Sequence, residues 1–266
     1  MKKFLIYVIS IVVIISLFFL YSFQVLKYSI KVDETIIKSP SIPSSFDGTR
    51  FIQFSDLYLK NEEDLKILKL AVEEINRLEA DIVLFTGNLF EEGAITSTLR
   101  SQVIEILSQL NSSLAKLAIL GDQDLIQSND ISDIFAETSF KLLRNESLEI
   151  YNGSSEGVNF IGIDSLETSP DLDTLLLQFA QPNKFNILLI HEPTLAAKTV
   201  DYPIELQLSG HCRGLSSTSG CTQFYAGTYR FADQLTLQVN QGLNRLNQFS
   251  TLLNRPTLHS FLLIKQ

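Results

Sequence analysis

An unbroken apolar run, residues 4–23, FLIYVISIVVIISLFFLYSF, follows the opening Met-Lys-Lys and contains no charged residue. A helix rises about 1.5 Å per residue, so about 20 such residues cross a hydrocarbon core roughly 30 Å thick. The run predicts a transmembrane signal anchor behind a short cytoplasmic N-terminus, residues 1–3. A cleaved signal peptide would carry a shorter apolar region, about 7–15 residues, before a small-residue cleavage site. Here the chain continues QVLKYSIKVDE instead. Tyr7 and Tyr21 stand near the two ends of the run, where interfacial aromatics collect. Lys2 and Lys3 favour an inside N-terminus, with the rest of the chain on the extracytoplasmic side. Lys27 and Lys31 reduce that asymmetry.

The pattern then changes. KSPSIPSSFDG is rich in Ser and Pro and lacks a hydrophobic period, so residues 24–48 read as a linker. From residue 49 two periods alternate. RFIQFS, residues 50–55, reads as a buried strand. Residues 62–78 read as an amphipathic helix, with Leu65, Leu68, Val72, Ile75 and Leu78 on one face and Asn61 placed to cap it. Strands follow at 81–85 and 117–120, with a helix at 99–110 between them and a short helix at 131–138. Further strands read at 158–163, 185–190, 206–209, 235–239 and 257–264. Strand–helix alternation followed by more strands implies one α/β domain over residues 49–266, with helices covering sheets.

Composition removes some function classes. The 266-residue chain is 45% hydrophobic, enough to bury a sizeable core. A formal net charge of −9 without a basic cluster argues against nucleic acid, whose phosphate backbone is held mainly by Lys and Arg. His191, His211 and His259 are the three histidines, too few for a His-rich site, and His259 in a late apolar strand reads as structural. Cys212 and Cys221 enclose RGLSSTSG. They can pair in an exported domain, or remain free buried thiols; Cys212 as a metal ligand is the weakest reading.

Short polar groups sit where the apolar strands stop. The strand ends read Ser55-Asp56-Leu57-Tyr58, Thr86-Gly87-Asn88, Gly121-Asp122-Gln123-Asp124, His191-Glu192-Pro193 and Gly210-His211-Cys212-Arg213. In α/β sheets, ligands bind beyond the carboxyl ends of strands. Any one such end is an ordinary turn, since Gly, Asn and Asp dominate turns. Repetition at five ends predicts one shared site.

FSDLYL, FTGNLF, ILGDQD, LLIHEP and LSGHCRG, in that order, resemble the calcineurin-like metallophosphoesterases, especially a small membrane-associated bacterial branch. That family reads D-x-H, G-D, G-N-H-D, a lone H after an apolar strand, and G-H-x-H-G. VNFIGIDS, FYAGTYR and LQVNQGL resemble its later segments, so the likeness covers residues 50–265. It implies a four-layer α/β/β/α sandwich of two mixed sheets behind the N-terminal helix, and a pair of metal ions.

The departures from the family pattern fall on its ligands. Carried over position by position, one ion would need Asp56 and positions 58, 88 and 213, where this chain has Tyr58, Asn88 and Arg213. The other would need positions 88, 122, 191 and 211, occupied by Asn88, Asp122, His191 and His211. Two dications about 3.5–4 Å apart repel by roughly 20 kcal/mol at an effective dielectric near 20, which a bridging carboxylate offsets and a neutral amide does not. Arg213 offers no lone pair. The resemblance therefore implies a lost first site, with Asp56, Tyr58 and Arg213 its remnant and Arg213 paired to Asp56. It leaves a one-metal site of Asn88, Asp122, His191 and His211 for Zn, Mn or Fe, or no metal at all. Gln123 stands where the family has a histidine that assists the leaving group, and an amide cannot act as a general acid. Two expectations stay open: a membrane-anchored pseudoenzyme binding a protein partner or a phosphorylated ligand, and a one-metal phosphoester hydrolase working through Asp122, His191 and His211.

Overall fold

The computed structural model describes residues 2–214, 220–231, 234–244 and 255–266, with the side chains of residues 2, 5 and 22–27 outside that description. The elements run α1 (Lys2–Lys27), β1 (Lys31–Ser39), β2 (Arg50–Phe54), α2 (Leu65–Arg77), β3 (Ile82–Thr86), α3 (Ser97–Leu107), β4 (Ala115–Ile119), α4 (Ser128–Glu137), β5 (Lys141–Leu142) and β6 (Glu146–Tyr151). They continue with β7 (Gly157–Gly162), α5 (Leu172–Phe179), β8 (Asn186–Leu189), α6 (Ala196–Thr199), β9 (Leu206–Ser209), β10 (Gly227–Phe231), β11 (Leu235–Val239) and β12 (Thr257–Lys265).

Two six-stranded sheets form, ordered β1-β12-β2-β3-β4-β5 and β10-β11-β9-β8-β7-β6. Both are mixed. β2, β3, β4 and β5 run parallel with β12 antiparallel beside them, while β7, β8, β9 and β11 run parallel between antiparallel β6 and β10. Successive side chains on a strand point to opposite faces, and both faces of these strands are covered, so the strands read as continuous apolar runs. In β3, Val83 and Phe85 meet Ile75, Val103 and Phe135 of the helices, while Ile82 and Leu84 pack into the layer shared with Ile187, Leu189 and Leu208 of the other sheet. Leu188 and Ile190 face the opposite way, toward Leu172, Leu176 and Ala196. The result is helices, sheet, sheet, helices.

Three local expectations change. Residues 31–39, inside the expected linker, form β1, which lies parallel to β12 from Lys31↔Thr257 to Ser39↔Lys265. Its exposure alternates as an edge strand's does, and its charged residues hid that period. Asn61 does not cap α2: its Oδ1 accepts from the Glu63 and Asp64 N–H groups, and Asp64 holds the cap position with its carboxylate turned back to the Lys60 and Asn61 N–H groups rather than onto the helix. The apolar N-terminal run is indeed helical, as α1. Among the described residues, however, no helix is long and apolar enough to cross a membrane, so the expected span is not found there.

Candidate metal centre

Because β2, β3 and β4 are parallel in one sheet and β8 and β9 in the other, their carboxyl ends deliver short loops that interlock. Asp56 N–H donates to Gly87 O (2.9 Å), Leu57 N–H to Asn88 O (2.8 Å) and Gly210 N–H to His191 O (2.9 Å). Asp124 accepts N–H groups from Asn88 (2.6 Å), Leu89 (2.8 Å) and Gly121 (3.0 Å), tying the β3 and β4 loops together. Burial pushes the Asp124 carboxyl up to about 6, against the pull of those three donors. Gly87, at φ 97°, leaves room for the histidine behind it: a Cβ there would lie 2.5 Å from His191 Nδ1.

Backbone strain collects at these loops. Positive φ occurs at Asp56 (54°), Tyr58 (45°), Asn88 (65°), His211 (70°) and Arg213 (48°), five of the nine such non-glycine residues described. Each costs on the order of 1–3 kcal/mol and persists only where the surroundings over-determine it.

The expected site residues do come together. Asp122 Oδ1 lies 3.2 Å from His191 Nε2 and 3.4 Å from His211 Nδ1. One donor atom from each of Asp122, His191 and His211 lies within 4.8 Å of the others. Ligands about 2.1 Å from a common ion stand about 3.0–3.4 Å apart at octahedral or tetrahedral angles. The two spacings from Asp122 Oδ1 fall in or at the edge of that range. His191 Nδ1 sits 2.6 Å from the carbonyl oxygen of Thr86, which can only accept, so Nδ1 carries a hydrogen and Nε2 faces the cluster.

Asn88 enters differently from expectation. Its Oδ1 accepts the Gln123 N–H (3.1 Å), so Nδ2 faces inward. That nitrogen lies 2.7 Å from Tyr58 Oη, 2.8 Å from His191 Nε2, 2.9 Å from Asp122 Oδ1 and 3.4 Å from Asp56 Oδ1. An amide N–H₂ donates and does not ligate. The carboxylate and imidazole donors that gather are those of Asp122, His191 and His211, and Asn88 turns its nitrogen toward them.

Asp56, Tyr58 and Arg213, the expected remnant, lie together with other partners. Asp56 Oδ2 accepts from Ser55 Oγ (2.6 Å) and the His211 N–H (3.0 Å), and Asp56 Oδ1 stands 3.8 Å from His191 Nε2. Burial, with the Asp56 charge adding to it, holds the Tyr58 phenol well above its ordinary range, so its oxygen keeps the proton. Arg213 does not pair with Asp56 among the described residues. Its guanidinium lies over the Tyr58 ring, 4.2 Å from Cζ to the centroid, a cation–π contact.

Charge in the cluster is strongly coupled. Burial would raise the Asp122 pKa, but hydrogen bonds from His191 and His211 hold the carboxyl far below its usual range. Burial opposes a charge on His191, yet the Asp122 hydrogen bond and the Asp56 and Glu192 charges push it up to about 10. An imidazolium Nε2–H would point at Asp122 and confront the Asn88 donor; a neutral Nε2 would accept from Asn88. The Nε2 lone pair is engaged in both forms.

Two residues hold the site's loops in ways the sequence does not specify. After β11, Asn244 donates its N–H to Asp56 O (2.8 Å) and its Nδ2 to Leu57 O (2.7 Å), clamping the strained loop. Glu192 accepts the Ser165 hydroxyl and the Leu166 N–H (3.2 Å), holding the loop after β7 beside His191. Neither carries a sequence signal beyond an ordinary polar residue. Asp164 pairs with Arg144 (2.9 Å), a structural ion pair. Cys212 and Cys221 form a disulfide, leaving no thiol at Cys212 to bind metal. Residues 215–219 of the loop they close lie outside the described residues.

A metallophosphoesterase of Bacillus subtilis named YkuE is 34% identical over 192 residues, covering 70% of this chain and 66% of that protein. The chain belongs to the calcineurin-like metallophosphoesterases. A bovine transmembrane protein with a metallophosphoesterase domain is 26% identical over 225 residues, covering 76% of this chain and 50% of the relative. This metallophosphoesterase chain thus spans between half and two thirds of the length of those two relatives. Among solved structures, GAP50, the anchor in the inner membrane complex of Plasmodium, aligns at TM-score 0.49 and 12% identity, covering 74% of this chain and 72% of that one. No family model matches.

Proposed function

We propose that this metallophosphoesterase-fold chain does not carry out two-metal hydrolysis and uses its pocket to bind a phosphorylated ligand or a protein partner. One observation carries the reading. The position between the two expected ions presents an amide N–H₂ rather than a bridging carboxylate, with Asp56, Tyr58, Asp122 and His191 all within 3.4 Å of it. Gln123 in place of an acid-base histidine supports it. Arg213, with no ion pair among the described residues, keeps a fork of donors that suits phosphate oxygens.

The spacing of Asp122, His191 and His211 favours a second reading, a one-metal phosphoester hydrolase. Those three would hold the ion, which when bound polarises a phosphoryl oxygen. The deciding experiment is hydrolysis of p-nitrophenyl phosphate and bis-p-nitrophenyl phosphate with added Mn²⁺, Zn²⁺ or Fe²⁺. The expected result is no turnover above that of His191→Ala. Metal-dependent turnover that His191→Ala abolishes would replace the first reading with the second.

Anchoring is part of the proposal. The uncharged run 4–23 and the exposed apolar side chains of α1, from Phe4 to Tyr21, support residence in a bilayer. The Cys212–Cys221 disulfide supports an oxidising, extracytoplasmic side. Full-length chain is expected to stay with membranes after alkaline carbonate washing, and its domain to be cut by protease added outside intact spheroplasts. Release by carbonate, or protection from protease, would overturn the respective half.

A further inference from the structure

Asn88 is fully buried, and its amide orientation is pinned from both ends. Oδ1 takes the Gln123 N–H, and Gly121 presses against the same oxygen so closely that a Cβ there would collide with it. Turning the amide over would bring Nδ2 against the Gln123 N–H, donor against donor, and Oδ1 against the Asp122 carboxylate. The orientation with nitrogen inward is therefore the one these neighbours prefer.

Consider what that nitrogen touches. It has two hydrogens and four oxygen or nitrogen neighbours, at 2.7, 2.8, 2.9 and 3.4 Å. They come from the loops after β2, β4 and β8, and Asn88 itself follows β3. Three parallel strands of one sheet and one of the other are thus tied through a single NH₂ group. Without it, Asp56 and Asp122 would lose the amide group that reaches toward both carboxylates. An ion could do the same work, but it would need an Asp122 Oδ1 lone pair and a His191 Nε2 freed of any proton, and Nδ2 stands against both atoms. An imidazole nitrogen has one lone pair to give.

We propose that the Asn88 side-chain nitrogen takes the role of a metal ion at the junction of the two sheets, so that Asn88 competes with a divalent cation for Asp122 and His191 rather than helping to hold it. The pocket is then preorganised without metal, and an ion reaches the Asp122–His191–His211 donors only by displacing this amide. The inference is independent of whether the pocket hydrolyses a phosphoester, because it is read by metal affinity and not by turnover.

Calorimetric titration of the full chain with Zn²⁺ alone tests it, comparing wild type with Asn88→Ala. A ligand and a competitor predict opposite signs. Removing a competing hydrogen bond worth about 1.4 kcal/mol tightens binding about 10-fold. Asn88→Ala is expected to bind Zn²⁺ about 10-fold tighter than wild type. Binding that is weaker, or no tighter, overturns the proposal. Should Asn88→Ala not fold, the wild type decides by itself through its melting temperature. EDTA is expected to leave it unchanged, since the amide already ties the loops. A drop in EDTA that Zn²⁺ restores would mean an ion holds the pocket, and the proposal would be wrong.

Discussion

The combined substitution Tyr58→His, Asn88→Asp, Asp122→Asn, Gln123→His and Arg213→His is expected to bind two divalent ions per chain. It should also hydrolyse bis-p-nitrophenyl phosphate at least about 10³-fold faster than the unsubstituted chain. The reason lies in the backbone. Asp56, Tyr58, Asn88, His211 and Arg213 keep left-handed φ values although three of the five side chains cannot act as ligands here. The loops therefore still aim those positions at a common centre. A carboxylate at position 88 would offset the repulsion between two dications, and imidazoles at 58 and 213 would supply the lone pairs that a phenol and a guanidinium lack. An imidazole at position 123 restores a group that titrates near neutrality, a contribution of about 10²–10⁴-fold where it acts as general acid. The five sites touch one another, so single replacements are not expected to add up to the combined effect. Metal content by elemental analysis and turnover in the same preparation give the answer. One ion or none would mean that the strained loops no longer hold a two-metal geometry. Two ions without turnover would place the deficit in substrate binding.

The fold was legible where a strand is a nearly continuous apolar run or alternates cleanly between apolar and polar residues. Residues 206–209 and 235–239, which alternate, are strands over just those bounds, and β2, β3 and β8 fall within a residue or two of expectation. Elements whose exposed faces carry mixed side chains were not legible. β1 has Lys, Asp, Glu and Thr among its residues and read as linker, while β6 has only partly buried and exposed positions and went unread. Helix α5 went unread too, because its eight residues give two turns and two buried positions, Leu172 and Leu176. The site shows the same division. Which residues meet followed from strand ends and order. How they meet did not, because it depends on which end of an amide points inward and on where a guanidinium rests. Asn88 could be placed at the centre by sequence, but its nitrogen faces the cluster because Gln123 offers a backbone N–H on the other side. The resemblance pairs Arg213 with Asp56 in the space of the missing ion, since a guanidinium fits a carboxylate bidentately. In the structure Asp56 already has Ser55 and the His211 N–H, and the Tyr58 ring offers the guanidinium a face.

His259 should make the domain acid-sensitive between about pH 6.5 and 4. It lies on β12 between Asp33 of β1 and Gln53 of β2, 2% exposed, and among the described residues neither ring nitrogen has a hydrogen-bond partner. Burial pushes its pKa down to about 4; nearby Asp33 acts against this shift and Lys31 with it, both more weakly. In the unfolded chain the imidazole titrates near 6.5, so between about 6.5 and 4 the unfolded state binds the proton and the folded state does not. Stability from this group is present above the unfolded value and is lost as pH falls through that window. At about 1.4 kcal/mol per unit the loss approaches about 3 kcal/mol, an order-of-magnitude figure. Asp124 works in the opposite direction over much of the same range, since its folded carboxyl, raised to about 6, takes up a proton before the unfolded one does. Total stability between pH 6.5 and 4 can therefore look flat, and only a comparison isolates His259. With His259→Phe the Asp124 contribution remains and any packing cost is the same at every pH. The difference in urea-unfolding free energy between variant and wild type is expected to move by about 3 kcal/mol in favour of the variant from pH 6.5 to pH 4. A difference that stays constant across that range would mean that His259 is solvated or charged in the fold.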